Sequence, residues 1–153
     1  DGSTVLELHP LTFLDRASAG SYYSSRVAGT MACIADAQPE GAWDAHTALM
    51  DTDFQPEEGI AGPDNAAIIR ELDDAVDGLN EAARSCIETE QFVPFSQALS
   101  DWVFANPVPH AEHPALTVTG TPFAVVNGVP YAGDPADGAA FRAFVQEQGI
   151  TLR

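Results

Sequence analysis

The nine residues from Asn106 to Pro114, three of them proline, separate two stretches of different hydrophobic period. Ahead of them, apolar residues recur every three or four positions, the spacing of helices that bury one face. After them come short runs rich in β-branched residues and punctuated by glycine and proline, the mark of strands and turns. A chain of 153 residues holds one domain's worth of sequence, so one fold has to accommodate both patterns.

The second stretch is the more explicit. Leu116-Thr117-Val118 reads as extended, Gly120-Thr121-Pro122 as a tight break, and Phe123-Ala124-Val125-Val126 as a strand. Asn127-Gly128 between two β-type runs predicts a two-residue hairpin of type I′, because both residues tolerate positive φ. Val129-Pro130-Tyr131 is the return strand, and Pro130 suits it to a sheet edge. Asp134-Pro135 reads as an N-cap and first-position proline. The last helix carries Phe141, Phe144 and Val145 on its apolar face, and Gly149 closes it.

In the first stretch, Thr4 to His9 has period-two character and reads as a strand stopped by Pro10, with Leu11 to Asp15 as a connector. A helix is expected from about Ser18 to Ala37, with Val27, Met31 and Ile34 on one face, Cys33 beside them, and Gly29 permitting close packing. After the break at Pro39-Glu40-Gly41, a short helix places Trp43, His46, Leu49 and Met50 on one side, with His46 as a packing residue. Asp51 to Gly62 reads as a surface loop. Pro63-Asp64-Asn65 starts a helix with Ile68, Ile69, Leu72 and Val76 as its stripe, ended by Gly78. Asn80 caps a helix over about 81–89. Phe92 to Phe104 is a further amphipathic helix, with Pro94 tolerable in its first turn. The order is strand, about five helices, hairpin, helix.

Charge excludes several roles. Twenty-three acids face six bases, all arginine, for a net charge of −17. An unaided nucleic-acid or anionic-membrane binder needs basic surface, so neither is expected. No stretch approaches the roughly 20 apolar residues of a membrane-spanning helix. The first residue is Asp1 and no signal peptide is visible, which fits a mature or trimmed form whose export signal would lie further upstream.

Cys33 and Cys86 are the only cysteines. They form no Cys-x-x-Cys pair and have no close Cys or His partners of a zinc site. Three readings stand: free core thiols, a structural disulfide, or one thiol that is catalytic or redox-sensing. Apolar neighbours disfavour an activated thiolate, which needs a positive environment. Other chemistry-bearing types read blandly. His110-x-x-His113 with Glu112 sits in the proline-rich loop and lacks a fuller ligand set, and His9 reads as a strand-end surface residue. Asp51-Thr52-Asp53 with Glu57-Glu58 lacks the glycine and final glutamate of a calcium loop. Asp73, Asp74 and Asp77 read as a solvated helix face, and Tyr22-Tyr23 as core cover. There is no nucleophile elbow, phosphate loop or dinucleotide fingerprint.

The run Gly120-Thr121-Pro122-Phe123-Ala124-Val125-Val126-Asn127-Gly128-Val129-Pro130-Tyr131, followed by Asp134 and a helix bearing Phe141 and Phe144, resembles the end of DsbA-like thioredoxin-fold proteins. In that family a Thr or Val precedes a cis-proline at the start of a strand, then a hairpin and the C-terminal helix follow. Val27 to Cys33 and Trp43 to Leu49, with its aromatic-x-x-His-x-x-Leu pattern, look like the family's inserted helical domain. His9 to Asp15 looks like the segment after its second core strand. The resemblance implies an α/β, thioredoxin-like fold with an inserted all-helical domain. Residues 1–16 and 116–153 would be the thioredoxin-like part, 17–105 the helical insert and 106–115 a connecting loop.

The resemblance implies a function as well: thiol–disulfide exchange on exported protein or peptide substrates, without a cofactor, outside the cytoplasm, and with a membrane redox partner. Gly120, Thr121 and Pro122 would form the cis-proline loop that faces the dithiol and holds the substrate strand. Two helical-domain cysteines at this separation look like the extra disulfide of actinobacterial extracytoplasmic members, which implies a Cys33–Cys86 staple. One departure is large. The family's Cys-x-x-Cys, at the start of a helix that lowers the thiol pKa, is absent, as is the central strand before it. That strand lies between the ones near 4–9 and 123–126, so it is expected upstream or from another chain. The alternative is a redox-inactive domain that binds a peptide or partner protein.

Overall fold

A run of left-handed residues delays the first helix in the computed structural model, which describes residues 4–151. Ala19, Gly20 and Tyr22 have φ of 48°, 80° and 50°. Such residues cannot continue a right-handed helix, so α1 spans Tyr23–Ala37 rather than beginning at Ser18. A 3-10 turn over Phe13–Ala17 precedes it. Asp15 in that turn caps α1 from outside, accepting from the Ser25 backbone N–H at 2.9 Å and from the Ser25 hydroxyl.

The described residues divide into two compact units, one of which is His9–Ser100. Here α1 packs against α2 (Ala42–Leu49) and α4 (Glu81–Glu88), and α3 (Asn65–Ala75) packs against both of these. The core joins Cys33 and Ile34 of α1, Ala45 and Leu49 of α2, Ile68 and Leu72 of α3, and Ala83 and Ile87 of α4. Burying each large aliphatic side chain contributes about 1.5–3 kcal/mol. The α3 stripe and the Asn80 cap form as the sequence indicates, Asn80 accepting from Ala83 N at 2.8 Å, and within the segment expected to start α3 it is Asp64 that caps the helix, accepting from Ala67 N at 2.8 Å. Gly78, at φ 102°, ends the α3 turn by donating to Asp73 O at 2.8 Å.

Two helix faces differ from the sequence expectation. In α2, Ala45 and Leu49 are buried while Trp43 and Met50 are 59% and 51% exposed. Ala42-Ala45-Leu49 and Trp43-His46-Met50 share one spacing, and the small alanines allow closer approach than the bulky set. In α5 (Val93–Ala105), Ser96 and Ser100 are buried while Phe95 and Trp102 lie outward. The inward serines let helix and turn approach closely. The Ser100 hydroxyl accepts from Thr12 N at 3.0 Å, and a Cβ on Gly29 would lie 3.1 Å from the Val93 backbone N.

The second unit consists of the described residues on either side of His9–Ser100. Its sheet has two strands, β1 (Val125–Val126) and β2 (Val129–Pro130), antiparallel with Val126 opposite Val129. Asn127 and Gly128, at φ 49° and 88°, make the type I′ turn. β1 is shorter than the run Phe123–Val126 proposed from sequence. Residues 4–9 form no strand and are not paired with 123–126, and Val5 is 82% exposed. A β-type segment needs a neighbour for its backbone N–H and C=O groups, and none of the described strands lies against this one. α6 spans Gly138–Glu147, and its cap is Asp137, accepting from Ala139 and Ala140 N–H, rather than Asp134. Asp134 instead shapes the preceding turn, accepting from Ala136 N at 2.8 Å.

Candidate functional site

The hairpin organises the loop before it. Tyr131 N donates to Ala124 O at 2.9 Å, fixing the chain just after Phe123. The proline-rich loop is held on the other side of the turn. Pro107 pairs with Thr117, Val108 N donates to Leu116 O at 2.7 Å, and Glu112 N donates to Gly128 O at 2.9 Å. A Cβ on Gly128 would meet His110 O at 2.9 Å, so the turn requires glycine for space as well as for φ. Asn127 Nδ2 donates to Gln148 O at 2.8 Å, joining the turn to the end of α6.

Within this frame the Thr121–Pro122 peptide bond is cis. Gly120 is half-buried, and Thr121 and Pro122 are exposed immediately before the hairpin. Beyond it, Tyr131 packs edge-on against Phe141, ring centroids 5.0 Å apart, and near Phe144 at 5.2 Å. Loss of solvent around the phenol raises the Tyr131 pKa, and the charges of Asp137 and Asp134 add to the effect.

Cys33 and Cys86 are bonded to each other, with Cα atoms 5.8 Å apart. They are 1% and 7% exposed, so the bond lies in the core between α1 and α4. The chain has no free thiol, and of the three readings of its cysteines the structural disulfide is the one present. The His110–His113 segment does other work: His113 Nδ1 accepts from Ala115 N at 3.3 Å. Among the described residues no group of three or more His, Cys, Asp or Glu is arranged to hold a metal ion.

Sequence reasoning missed two features. Asp73 is no mere solvated acid, since it receives both an ion pair from Arg84 and the Leu79 N–H. Tyr23 is core, as proposed for the tyrosine pair, but Tyr22 is 60% exposed. It borders an open cleft of about 590 Å³ in the His9–Ser100 unit, together with Arg26, Asn65, Glu90, Val93 and Gln97. The unusual backbone at Tyr22 leaves no trace in hydrophobic spacing, which is why periodicity could not find this cleft.

No family model matches the chain, and no curated protein does. Solved structures do. The chain resembles the reduced form of the disulfide bond oxidoreductase DsbG of Mycobacterium tuberculosis, with a TM-score of 0.73 and 29% identity over 95% of this chain and 62% of that one. Oxidised DsbA of the same organism matches with a TM-score of 0.70 and 29% identity over 94% of this chain and 64% of that one. Its reduced form matches at 0.70 and 28%. In structure the chain is similar to DsbA-like disulfide oxidoreductases. It therefore has the thioredoxin-like fold with a helical insertion, and it spans less than two thirds of the length of the DsbA and DsbG structures it matches. Among the described residues, no helix is long and apolar enough to cross a membrane.

Proposed function

We propose that this chain is the substrate-holding part of a DsbA-like thiol–disulfide oxidoreductase that acts on exported proteins outside the cytoplasm. The observation that carries the reading is the likeness to the DsbG and DsbA structures over 94–95% of this chain, with Thr121 and Pro122 exposed just ahead of β1. Gly120, Thr121 and Pro122 receive an extended substrate strand there, and proline leaves no N–H of its own to satisfy. Residues 1–16 and 116–153 serve as the thioredoxin-like part, 17–105 as the helical insert and 106–115 as the connection.

Exchange follows ordinary sulfur chemistry. A thiolate attacks one sulfur of a disulfide, a new S–S bond forms as the old one breaks, and the departing sulfur leaves as thiolate and takes a proton. A second thiol then resolves the mixed disulfide. Cys33 and Cys86 do not supply that dithiol, because they are joined and buried. The exchanging pair therefore lies outside these 153 residues. A disulfide in the core fits an oxidising compartment. Substrates are protein or peptide thiols and disulfides, and a membrane redox partner returns the exchanging pair to its starting redox state.

The test uses the protein as encoded in full. A Cys-x-x-Cys in the complete reading frame and exchange with a cysteine-containing peptide are expected. Pro122→Ala should slow that exchange while leaving the Cys33–Cys86 bond intact. Full-rate exchange in the Pro122→Ala protein would sink the assignment of the loop.

A second reading has its own support, since every sulfur of the two cysteines in this chain is already bonded. On that reading the protein is a redox-inactive module that binds a peptide or partner through the same proline loop. It predicts a complete frame without Cys-x-x-Cys, together with peptide binding that Pro122→Ala weakens.

A further inference from the structure

Four non-glycine residues of the His9–Ser100 unit, Ala19, Tyr22, Asp77 and Glu90, sit in the left-handed region where glycine would be the less strained choice, and the two with the larger exposed side chains at a helix end, Tyr22 and Glu90, border one cleft. Tyr22, at φ 50°, precedes α1 in the position of its N-cap, where extended backbone is usual. Glu90, at φ 53°, follows the end of α4, a position that glycine or asparagine usually takes. Large side chains kept at strained positions concentrate at sites of binding or catalysis. Between them runs the open cleft of about 590 Å³.

The groups left unspent in the cleft define its ligand. Arg26 anchors the floor, with Nη1 to Asn65 Oδ1 at 2.8 Å, Nη2 to Pro63 O at 2.6 Å and Nε to Ser21 O at 2.9 Å. Of five guanidinium N–H donors, two remain. Gln97 donates to Ser25 Oγ at 3.1 Å, which leaves its own carbonyl oxygen as an acceptor. Glu90 accepts from Asn65 Nδ2 at 2.9 Å through one oxygen and keeps the other. Tyr22 and Val93 supply an apolar wall. Donors and acceptors set side by side along such a wall match the alternating C=O and N–H of an extended polypeptide. A lone anion would find one cation opposed by Asp64 and Glu90 in a chain of net charge −17.

We propose that the cleft between Tyr22, Arg26, Glu90 and Gln97 is a second, sulfur-independent holding site for extended polypeptide, separate from the Thr121–Pro122 loop. The choice of polypeptide rests on the reading of the chain as part of an oxidoreductase for protein substrates. The site itself needs no dithiol. It holds unfolded substrate without sulfur chemistry, so that substrates are retained before and after exchange.

The probe is a cysteine-free, unstructured, end-blocked peptide rich in Ala, Val and Lys, titrated into the full-length protein and followed by amide NMR shifts. Shifts at Tyr22, Asn65, Val93 and Gln97 are expected. Tyr22→Gly removes the ring while suiting the positive φ, and should weaken binding by about two- to tenfold, with amide dispersion and thermal midpoint reporting that the fold is kept. Gln97→Met, of similar length without the carbonyl, should weaken it as well. Pro122→Ala should leave the shifts at the cleft unchanged. Absence of peptide shifts at the cleft, or equal binding by the folded Tyr22→Gly protein, overturns the proposal. Exchange with a cysteine-containing peptide, measured separately, reports on the oxidoreductase reading, so either idea can fail without the other.

Discussion

Gln38 and Asn80 tie two helix ends together: Asn80 N donates to Gln38 Oε1 at 2.9 Å, and Asn80 Nδ2 donates to the carbonyl of Ala37, the residue before Gln38, at 2.7 Å. Gln38 Nε2 also reaches Gly78 O at 3.0 Å. The end of α1 is thereby fastened to the start of α4, where Asn80 is the cap. Asn80→Ala removes the cap and the bond to Ala37 together. We expect a loss of about 1–2 kcal/mol, read as a lower urea midpoint with an unchanged slope. A loss within error would mean that water replaces both contacts.

The same two helices are joined covalently by Cys33 and Cys86, 53 residues apart in sequence. Closing a loop of that length restricts the unfolded chain, and the chain-entropy model gives about 4 kcal/mol. A Cys33→Ala, Cys86→Ala double variant is expected to lose a large part of that in equilibrium unfolding. In the full-length protein it should retain exchange activity at temperatures where it stays folded. Loss of exchange by the folded double variant would show that this disulfide takes part in turnover.

The parts of the fold written in local chemistry were legible in the sequence. Asn127-Gly128 dictated its turn, Pro63-Asp64-Asn65 the start of α3, Asn80 its cap, and the α3 stripe its buried face, because each depends on neighbours a few residues away. What depends on distant neighbours was not. Whether α2 buries Leu49 with Ala45 or with Trp43 is decided by how closely other helices approach, and hydrophobic size misled the reading. Asp134 against Asp137 is a choice between two adequate caps three residues apart. Residues 4–9 carry a strand's pattern, yet a strand exists only where another lies beside it. The Gly120-Thr121-Pro122 segment was marked by its motif alone, and the Tyr22 cleft by nothing in the pattern.

Arg84 Nη2 contacts both carboxylate oxygens of Asp73, at 2.6 and 2.7 Å, and the Leu79 N–H donates to the same carboxylate at 2.9 Å. The hydrogen bond from Arg84, then that from Leu79, lowers the Asp73 pKa below its ordinary value. A carboxylate with a lower pKa in the folded state stabilises the fold above the unfolded-state value near ~4. That contribution disappears as pH falls through the lowered value. The acid limb of the melting curve should therefore shift upward in pH for Arg84→Met, and Asp73→Asn should flatten it below pH about 4. Both differences should shrink in high salt, since the pair is partly exposed. Identical acid limbs for all three proteins would show that the pair forms equally in the unfolded chain.

Tyr23 presents the opposite case, a polar group buried without compensation. Its ring packs so tightly on Gly62 that a Cβ there would overlap it, and its hydroxyl finds no partner among the described residues. Burial pushes its pKa up to about 12, with Arg26 pulling slightly the other way. Two consequences follow. Leaving a buried hydroxyl unpaired costs about 1–3 kcal/mol, so Tyr23→Phe should be neutral or stabilising near pH 7, by about 1 kcal/mol. At alkaline pH the sign is also fixed: the folded-state pKa is raised, so the stabilising difference is whole below the unfolded value near ~10 and is lost as pH climbs toward the folded one. Unfolding experiments between those values should show the wild-type protein losing about 2 kcal/mol more than Tyr23→Phe. The difference isolates Tyr23, because Tyr22 and Tyr131 are common to both proteins. A Tyr23→Phe protein that is markedly less stable near neutral pH would mean that the hydroxyl is hydrogen-bonded in solution, and the alkaline difference should then be re-measured as a test of that bond.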